Sequence, residues 1–543
     1  MRFTERLRRP ELAVETILLL GSLFLASAAN LVFWHAALAG RPAADAATLR
    51  YVAATFVLLA AAHFFVLGLV ATRQTVRPLL ALAIVASAAL GYYMQRYGVV
   101  FDASMVRNVL RTDYREARDL LTPDLAAWLL AGALVAATLW LLRPRRRSLG
   151  RALAVRMAAL IAALAVGAAA LLANFQDFAS QMRNDRKLRF TIAPANFAWS
   201  LGVVLSADLR DAAGPREPLE PVSRAAAAAG RRPQLFVLVI GETARAANFS
   251  LGGYGRETNP ELAKLDLVYF PRTRACGTST EVSLPCMLSP FGRAEYDESR
   301  IRRHESLPQL LARAGLRTLW LDNQSGCKGA CEGVDFRDLR AAAVPGICAG
   351  GYCHDEVLLE ELKRVTLAPG GDTVVLLHMM GNHGPAYFRR YPPELRRFTP
   401  ACERLELRDC SREEIVNAYD NAILATDRFL ARTLQYLQGL GERYDTALAY
   451  VSDHGESLGE HGLYLHGLPY ALAPREQIEV PMFWWLPPGA AKSFGVDLEC
   501  LRHRAGAAAS HDNLYHSVLG LLRVTTARYR PERDLFHSCN GVR

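Results

Sequence analysis

The stretch 275–290, ACGTSTEVSLPCMLSP, contains the residue best placed to act as a nucleophile, Thr280. It lies in a turn of glycine, serine and threonine just before a predicted helix start, between Cys276 and Cys286. A hydroxyl at a helix N-terminus faces unpaired N–H groups and the positive end of the helix dipole, which favours a phosphate esterified to that hydroxyl. Because a threonine hydroxyl is a poor nucleophile by itself, the chain must also supply a base or a metal.

Side chains that bind metals or phosphates follow the apolar runs in the second half of the chain. Glu242 comes directly after the run at 234–240, and Asp453 and His454 come at the end of the run at 445–453. Two further runs end in such groups: Asp322, Asn323 and Lys328 belong to the run at 316–322, and His378 and His383 to the run at 372–380. Sites in open α/β sheets form beyond the carboxyl ends of the strands, so we expect these side chains to form one site.

The first set of these residues has the composition of a metal site. Glu242, Asp453 and His454 supply two carboxylates and an imidazole, and the Thr280 oxygen completes a four-coordinate set suited to zinc. The metal would lower the pKa of the hydroxyl and stabilise charge developing on phosphorus. Manganese is an alternative, because this set contains no thiolate that would enforce the choice.

A second set is assigned to the substrate. His383 and His466 are candidates to bind a phosphate oxygen, to protonate a leaving group or to hold a second, weaker metal. Lys328 and the amide of Asn323 or Gln324 are candidates to hold phosphoryl oxygens or a head-group amine, and His378 is placed with them as a substrate contact.

The elements that must position these residues are predicted from Pro233 onward. Continuous apolar runs, typical of buried parallel strands, occur at 234–240, 316–322, 372–380, 445–453 and 477–486. Amphipathic helices are predicted between them at 306–315, 356–365, 412–440 and 510–524, the last capped by Ser510. Strands that alternate with helices predict an α/β fold, a doubly wound sheet with helices on both faces.

The first half of the chain predicts a membrane domain. Five apolar runs reach the roughly 20 residues that a bilayer requires: 14–36, 51–71, 78–96, 123–142 and 152–173. More spans follow the first run, so we interpret it as an anchor and not a cleaved signal. Short basic loops with Arg73 and Arg77 and at 144–151 are expected in the cytoplasm, which places the second half outside, in the periplasm of a Gram-negative cell. The net charge of +10 reflects such topology signals, including arginines 6, 8, 9, 143 and 145–147, and not nucleic-acid binding.

All ten cysteines lie between Cys276 and Cys539, which agrees with this topology. They form close pairs at 276/286, 327/331, 348/353 and 402/410, with 500 and 539 left over. An even count confined to one domain predicts disulfides in an oxidising compartment, and a cysteine zinc site is the alternative.

These features divide the chain into a five-helix transmembrane domain at 1–173, a bridge at 174–232 and a catalytic domain at 233–543. The bridge joins an interfacial segment to a linker at 211–233 rich in proline, alanine and glycine. The outer loop at 97–121 is predicted either to lie along the membrane surface or to be a solvated connector.

Several motifs, in order, resemble those of the membrane-bound lipid A phosphoethanolamine transferases, within the alkaline-phosphatase/sulfatase superfamily, a family that includes the mobile colistin-resistance enzymes. They are GETAR, NFSLGGYGRETNP, CGTSTEVSLPCM, DNQSGCKG, HMMGNHGPAY, SDHGESLGEHGLYLHGLP and SHDNLYH. The resemblance covers nearly the whole chain. It implies that Thr280 carries phosphoethanolamine covalently, and that the chain has five disulfides. It implies a zinc site and substrate contacts on these residues: Glu242, Thr280, Asp453 and His454 for zinc, and Lys328, His383 and His466 for substrate.

Two positions depart from the pattern of that family. Gln324 stands where a second asparagine is expected, and Glu281 places a negative charge directly after the nucleophile. The negative charge of Glu281 either stabilises the helix N-terminus or slows the attack of the acceptor on the neighbouring phosphate.

The leading hypothesis is a zinc-dependent transferase of the inner membrane. It takes phosphoethanolamine from phosphatidylethanolamine and delivers it to a phosphate of lipid A or lipopolysaccharide. The alternatives are a transferase of the same superfamily with another acceptor (a core sugar, a glycan or a protein), a phosphohydrolase, and a non-enzymatic membrane sensor. A sulfatase is disfavoured because 280–286 lacks the Cys/Ser-x-Pro-x-Arg sequence.

Overall fold

The computed structural model describes residues 10–539 apart from 43–44, 113, 185–186, 212–215, 226–229, 351 and 368–369. Two compact units form: Met1–Val106 with Leu121–Val204, and Arg107–Leu120 with Leu205–Arg543. The short segment Arg107–Leu120, from the predicted outer loop, therefore belongs to the second unit. The arginines at 6, 8 and 9 and the linker positions 212–215 and 226–229 lie outside the described residues.

The first unit contains five helices that are long and apolar enough to cross a membrane. They are Val14–Ala37, Ala46–Val70, Val76–Tyr97, Pro123–Leu141 and Leu149–Ala173. Each overlaps one predicted run, so the prediction of five spans is confirmed. Helices are the expected form because a segment in lipid must satisfy its own backbone hydrogen bonds. Their outer faces keep large apolar side chains exposed, such as Leu82 at 69% and Val66 at 62%.

The second unit is built around a mixed sheet of eight strands. Numbered along the chain, they are β1 (Gln234–Gly241), β2 (Val268–Arg274), β3 (Arg317–Asp322), β4 (Asp335–Asp338), β5 (Thr373–His378), β6 (Asp445–Ser452), β7 (Glu479–Trp485) and β8 (Ala509–Ser510). The spatial order is β8-β2-β7-β6-β1-β5-β3-β4. Strands β6, β1, β5, β3 and β4 are parallel.

Four of the five predicted strands are confirmed as parallel neighbours in this sheet. The fifth, β7, is a strand, but it runs antiparallel to both β6 and β2, so the prediction of a parallel strand is wrong there. After Ser452 the chain stays at the carboxyl edge, where the Gly455 amide donates to the Gln477 carbonyl at 3.1 Å. Because it does not cross back to the other edge, it re-enters the sheet in the opposite direction.

Both faces of the sheet are buried. Along β1, alternate side chains enter two separate cores: Phe236, Leu238 and Ile240 enter one, and Leu235, Val237 and Val239 enter the other. Burial on both faces explains why this strand is continuously apolar. The four predicted helices are observed as Leu307–Arg313, Glu356–Leu367, Arg412–Gly439 and His511–Leu522. Ser510 caps the last one by accepting from the Asp512 amide, as predicted.

Nine shorter or peripheral α-helices and four two-stranded sheets are also present in the described part of the chain. The helices are Ala103–Arg111, Tyr114–Asp119, Phe175–Asn184, Ala195–Asp211, Thr280–Met287, Glu298–Arg303, Arg475–Ile478, Pro488–Phe494 and Leu498–Ala505. Strand β2 was not predicted because it contains Pro271 and buries only three of its seven residues.

All ten cysteines are joined in five disulfides. The pairs are Cys276–Cys286, Cys327–Cys331, Cys348–Cys353, Cys402–Cys410 and Cys500–Cys539. The disulfide prediction is confirmed, and the alternative of a cysteine zinc site is wrong.

Candidate active site

Two neighbouring parallel strands deliver the two carboxylates of the predicted metal group to one edge. Strands β1 and β6 pair so that Gly241 lies opposite Ser452, and the next residues are Glu242 and Asp453. The Asp453 amide continues the ladder by donating to the Gly241 carbonyl at 2.9 Å. Both carboxylates are fully buried, and so is His454.

Glu242, Asp453 and His454 fit a metal ion. One ligand atom from each lies within 4.8 Å of the others. The Nδ1–H of His454 donates to the Gly455 carbonyl at 2.9 Å, which leaves Nε2 as a lone-pair donor. This atom lies 3.5 Å from a carboxylate oxygen of Glu242 and 3.5 Å from Oδ2 of Asp453. Among the described residues, that Oδ2 is buried without a hydrogen-bond partner, which is the state expected of a ligand atom.

The electrostatics of His454 reflect the same arrangement. Burial lowers the pKa of its imidazole, but the adjacent Asp453 and Glu242 carboxylates outweigh burial and raise the pKa above its ordinary value. Two acidic groups in a buried space therefore favour positive charge at this position, whether it comes from a proton or a cation.

Thr280 reaches this group from a different part of the fold. It is the first residue of the helix Thr280–Met287, with Ser279 at the N-cap. Its Oγ1 donates to Oε2 of Glu242 at 2.9 Å and lies 3.4 Å from Nε2 of His454. The fold thus brings together all four residues that the sequence predicted as one metal and nucleophile group.

Thr243 supports this group and was not identified from sequence. Its amide donates to Oδ1 of Asp453 at 3.2 Å, and its hydroxyl donates to Glu242. Its φ of 58° is in the left-handed region, which is costly for a β-branched residue and is typical of functional sites. Close packing continues at Gly381, where a Cβ would lie 2.7 Å from the Glu242 carbonyl oxygen.

A row of histidines leads away from the metal group. The ring centroid of His466 lies 4.3 Å from that of His454 and 5.7 Å from that of His383. Burial lowers the pKa of both His383 and His466 to about 3, so both imidazoles are neutral at physiological pH. Nδ1 of His383 has no hydrogen-bond partner among the described residues.

Glu456 lies beside this row and was also missed by the sequence. Its Oε1 is 3.3 Å from Nδ1 of His466, and burial raises its pKa to about 8. The only feature of the sequence that could have indicated Glu456 as a site residue was its position two residues after His454, in the motif DHGES.

The amides predicted to contact substrate are directed to different partners. Nε2 of Gln324 donates to Oε2 of Glu242 at 3.1 Å, so this side chain contacts the metal group itself. Nδ2 of Asn323 instead donates to Asp355 at 2.8 Å.

Lys328 and His378 differ in exposure. Nζ of Lys328 donates to the Ser325 hydroxyl at 2.7 Å and is half-buried. His378 is fully buried, with its Nδ1 2.7 Å from Oδ1 of Asp322. Burial lowers the pKa of His378, but the Asp322 carboxylate more than offsets this, and the net direction is upward.

Comparison with known proteins finds a matching family model for each half of the chain. Residues 234–524 match the family model described as Sulfatase, and residues 58–209 match the one described as Phosphoethanolamine transferase EptA/EptB. The chain is 37% identical over 554 residues to Phosphoethanolamine transferase EptA of Escherichia coli K12, covering 99% of each protein. It is 38% identical over 477 residues to Phosphatidylethanolamine transferase Mcr-1 of Escherichia coli, covering 86% of this chain and 88% of that relative.

A solved structure has the same fold over nearly the whole chain. The integral membrane protein lipooligosaccharide phosphoethanolamine transferase A (EptA) from Neisseria meningitidis matches with a TM-score of 0.93 and 34% identity, covering 98% of this chain and 100% of that one. With five apolar helices, this chain is a multi-pass membrane protein. Together these findings confirm the resemblance predicted from its motifs: the chain belongs to the family of lipid A phosphoethanolamine transferases.

Proposed function

We propose that this protein transfers phosphoethanolamine from phosphatidylethanolamine to a phosphate of lipid A, with Thr280 as the covalent carrier. One observation carries the proposal: the Thr280 hydroxyl lies at a helix N-terminus and donates at 2.9 Å to a fully buried carboxylate of a metal-type group. The names of the relatives supply the transferred group, and the lipooligosaccharide in the name of the Neisseria meningitidis protein supports a lipid A acceptor.

Glu242, Thr280, Asp453 and His454 would hold one zinc ion. When bound, the ion lowers the pKa of the hydroxyl and stabilises negative charge on the phosphoryl oxygens. The hydrogen bond from Thr280 to Glu242 holds the hydroxyl proton on the side of the carboxylate and orients the oxygen lone pairs. His383 and His466, neutral at physiological pH, are placed to contact substrate or to hold a second, weaker metal.

The proposed reaction has two displacements at phosphorus. In the first, a bond forms between Thr280 Oγ1 and phosphorus, the phosphorus–oxygen bond to the glycerol breaks, and diacylglycerol leaves with a proton. In the second, a lipid A phosphate gives up a proton, its oxygen attacks phosphorus, the bond to Thr280 breaks, and the Thr280 oxygen takes up that proton to restore the hydroxyl. His466 and His383 are neutral and lie next to the metal group. They are placed to pass the proton in each displacement.

Membrane anchoring suits this reaction because donor and acceptor are both lipids. We place the protein in the bacterial inner membrane with its catalytic unit in the periplasm, where the five disulfides are stable. The added ethanolamine lowers the net negative charge of the acceptor lipid, which weakens its attraction for cationic peptides such as polymyxins.

The test is mass spectrometry of lipid A from cells that express either the wild type or Thr280→Ala at equal membrane levels. We expect a phosphoethanolamine-sized increment with the wild type only. The same increment from folded Thr280→Ala would refute the covalent mechanism. If the wild type adds no increment, the acceptor is not lipid A, and labelling of core sugars, glycans or protein then decides among the other acceptors.

A further inference from the structure

Glu281 is a buried carboxylate directly after the proposed nucleophile. It is the second residue of the helix Thr280–Met287, and its side chain has no exposed surface. Burial of an isolated charge is strongly unfavourable, so a buried glutamate needs partners at such a position.

Two guanidinium groups provide these partners from opposite parts of the sequence. Nη1 of Arg111 donates to Oε1 of Glu281 at 2.6 Å, and Nη2 of Arg302 donates to the same oxygen. The Nη2 of Arg302 also donates to the backbone carbonyl of Glu281 at 3.2 Å. Both the side chain and the backbone of Glu281 are therefore held.

In the described part of the second unit, the two arginines belong to a ring of six charged residues, which the pair of Arg107 with Asp208 at 3.6 Å completes. Arg302 pairs with Glu298 at 3.0 Å, Arg107 pairs with Glu298, and Arg111 pairs with Asp208 at 3.3 Å. The set holds three cations and three anions: Arg107, Arg111, Arg302, Asp208, Glu281 and Glu298. The Arg111 and Arg302 guanidinium groups on Oε1 reduce the negative potential that Glu281 presents to a phosphate on Thr280.

We propose that Glu281 is a positioning residue that locks the first helical turn, and with it Thr280, against the segment Arg107–Leu120. Thr280 and Glu281 are adjacent in that turn, so a clamp on Glu281 from two sides limits rotation of the turn. Rotation would move Thr280 Oγ1 away from its partner Glu242 at 2.9 Å. The role in catalysis rests on the proposed function of Thr280, whereas the physical tie to Arg107–Leu120 does not.

The first arm of the test measures the tie without any substrate. Hydrogen exchange of the full-length protein in detergent is compared for wild type, Glu281→Gln and the control Glu305→Gln. Glu305 is also a buried carboxylate, paired with Arg313 at 2.8 Å. We expect Glu281→Gln to lose amide protection in 107–112 and 280–287, and Glu305→Gln to keep it. Unchanged protection in Glu281→Gln would overturn the tie.

The second arm measures transfer from a fluorescent phosphatidylethanolamine in mixed micelles. Misplacement of a reacting group by about 1 Å costs on the order of 100-fold in rate, so we expect kcat of Glu281→Gln to fall roughly 10- to 100-fold with KM unchanged. Arg111→Gln should also lower kcat, and the double variant should be no worse than Glu281→Gln, because Arg111→Gln breaks one of the two contacts that Glu281→Gln removes.

Three outcomes would overturn the positioning role. The first is additive effects in the double variant together with a raised KM for Arg111→Gln, which would make Arg111 a direct substrate contact. The second is wild-type kcat in Glu281→Gln. The third is an equal loss of kcat in Glu305→Gln. If the wild type itself transfers nothing, the proposed function fails, and the catalytic role of Glu281 fails with it. The exchange experiment then still decides the tie.

Discussion

The substitution Asp453→Asn should change the stability of the protein in opposite directions with and without a metal. Without a cation, the Glu242 and Asp453 carboxylates face each other within 4.8 Å in a buried space. Two unit charges at that distance repel by about 3 to 4 kcal/mol at an effective dielectric constant of 20. A proton on His454, whose pKa is raised, would cancel this repulsion, so the two proteins are compared at a pH high enough to leave His454 neutral. There, hydrogen bonds to both carboxylates reduce the repulsion, and we expect a net cost of about 1–2 kcal/mol.

The asparagine removes this cost and keeps the contacts that hold the loop. Its Oδ1 still accepts from the amides of Thr243 and His454, as Asp453 does at 3.2 and 2.7 Å. The variant should therefore melt above the wild type in chelator. Zinc at 100 times its dissociation constant stabilises the wild type by about 2.7 kcal/mol and the variant far less, so the order should reverse.

The assay is thermal unfolding of the full-length protein in detergent, followed by tryptophan fluorescence, with chelator or with excess zinc. Glu305→Gln serves as the matched control, because it removes a buried carboxylate away from the metal group and should lower the melting temperature equally in both conditions. A variant that melts below the wild type in chelator would refute the predicted repulsion. Equal stabilisation of both proteins by zinc would refute the metal assignment of Asp453.

Two further predictions concern stability. Replacing Cys500 and Cys539 by serine opens a loop of sequence separation 39, which we expect to cost about 4 kcal/mol from chain entropy in urea unfolding; an unchanged midpoint would contradict this. Burial raises the pKa of Asp372, but hydrogen bonds led by that from Arg231 lower it to about 2. Because the folded pKa lies below the unfolded value, the contribution is present above about pH 4 and is lost as pH falls towards 2. The stability difference between wild type and Asp372→Asn, about 1–2 kcal/mol, should therefore vanish over that range, and a constant difference would refute the pairing.

Much of the fold was predictable because its signals are local in the sequence. A span of the bilayer or a strand buried on both faces needs an unbroken apolar run, and such runs placed the five membrane helices and strands β1, β3, β5 and β6. The candidate site followed from the same patterns. Parallel strands end at one edge, so the sequence alone predicted Glu242 and Asp453 side by side.

The direction of β7 was not predictable, because parallel and antiparallel strands that are buried on both faces show the same apolar run. Its orientation depends on where the chain turns between Ser452 and Glu479, which is set by contacts of that loop with the sheet edge. Strand β8 was not predicted because a strand of two residues is too short to show a repeating pattern of apolar and polar residues.

The sequence by itself determined which residues we propose for the chemistry, since Thr280, Glu242, Asp453 and His454 each stand beside an element that the local pattern defines. Only the tertiary structure decided what surrounds them. Glu281 was a charge of unknown consequence in the sequence, and Arg111 lies 170 residues from it along the chain. The physical reason is that burial and pairing of a charge depend on long-range packing, whereas the periodicity that defines helices and strands is local.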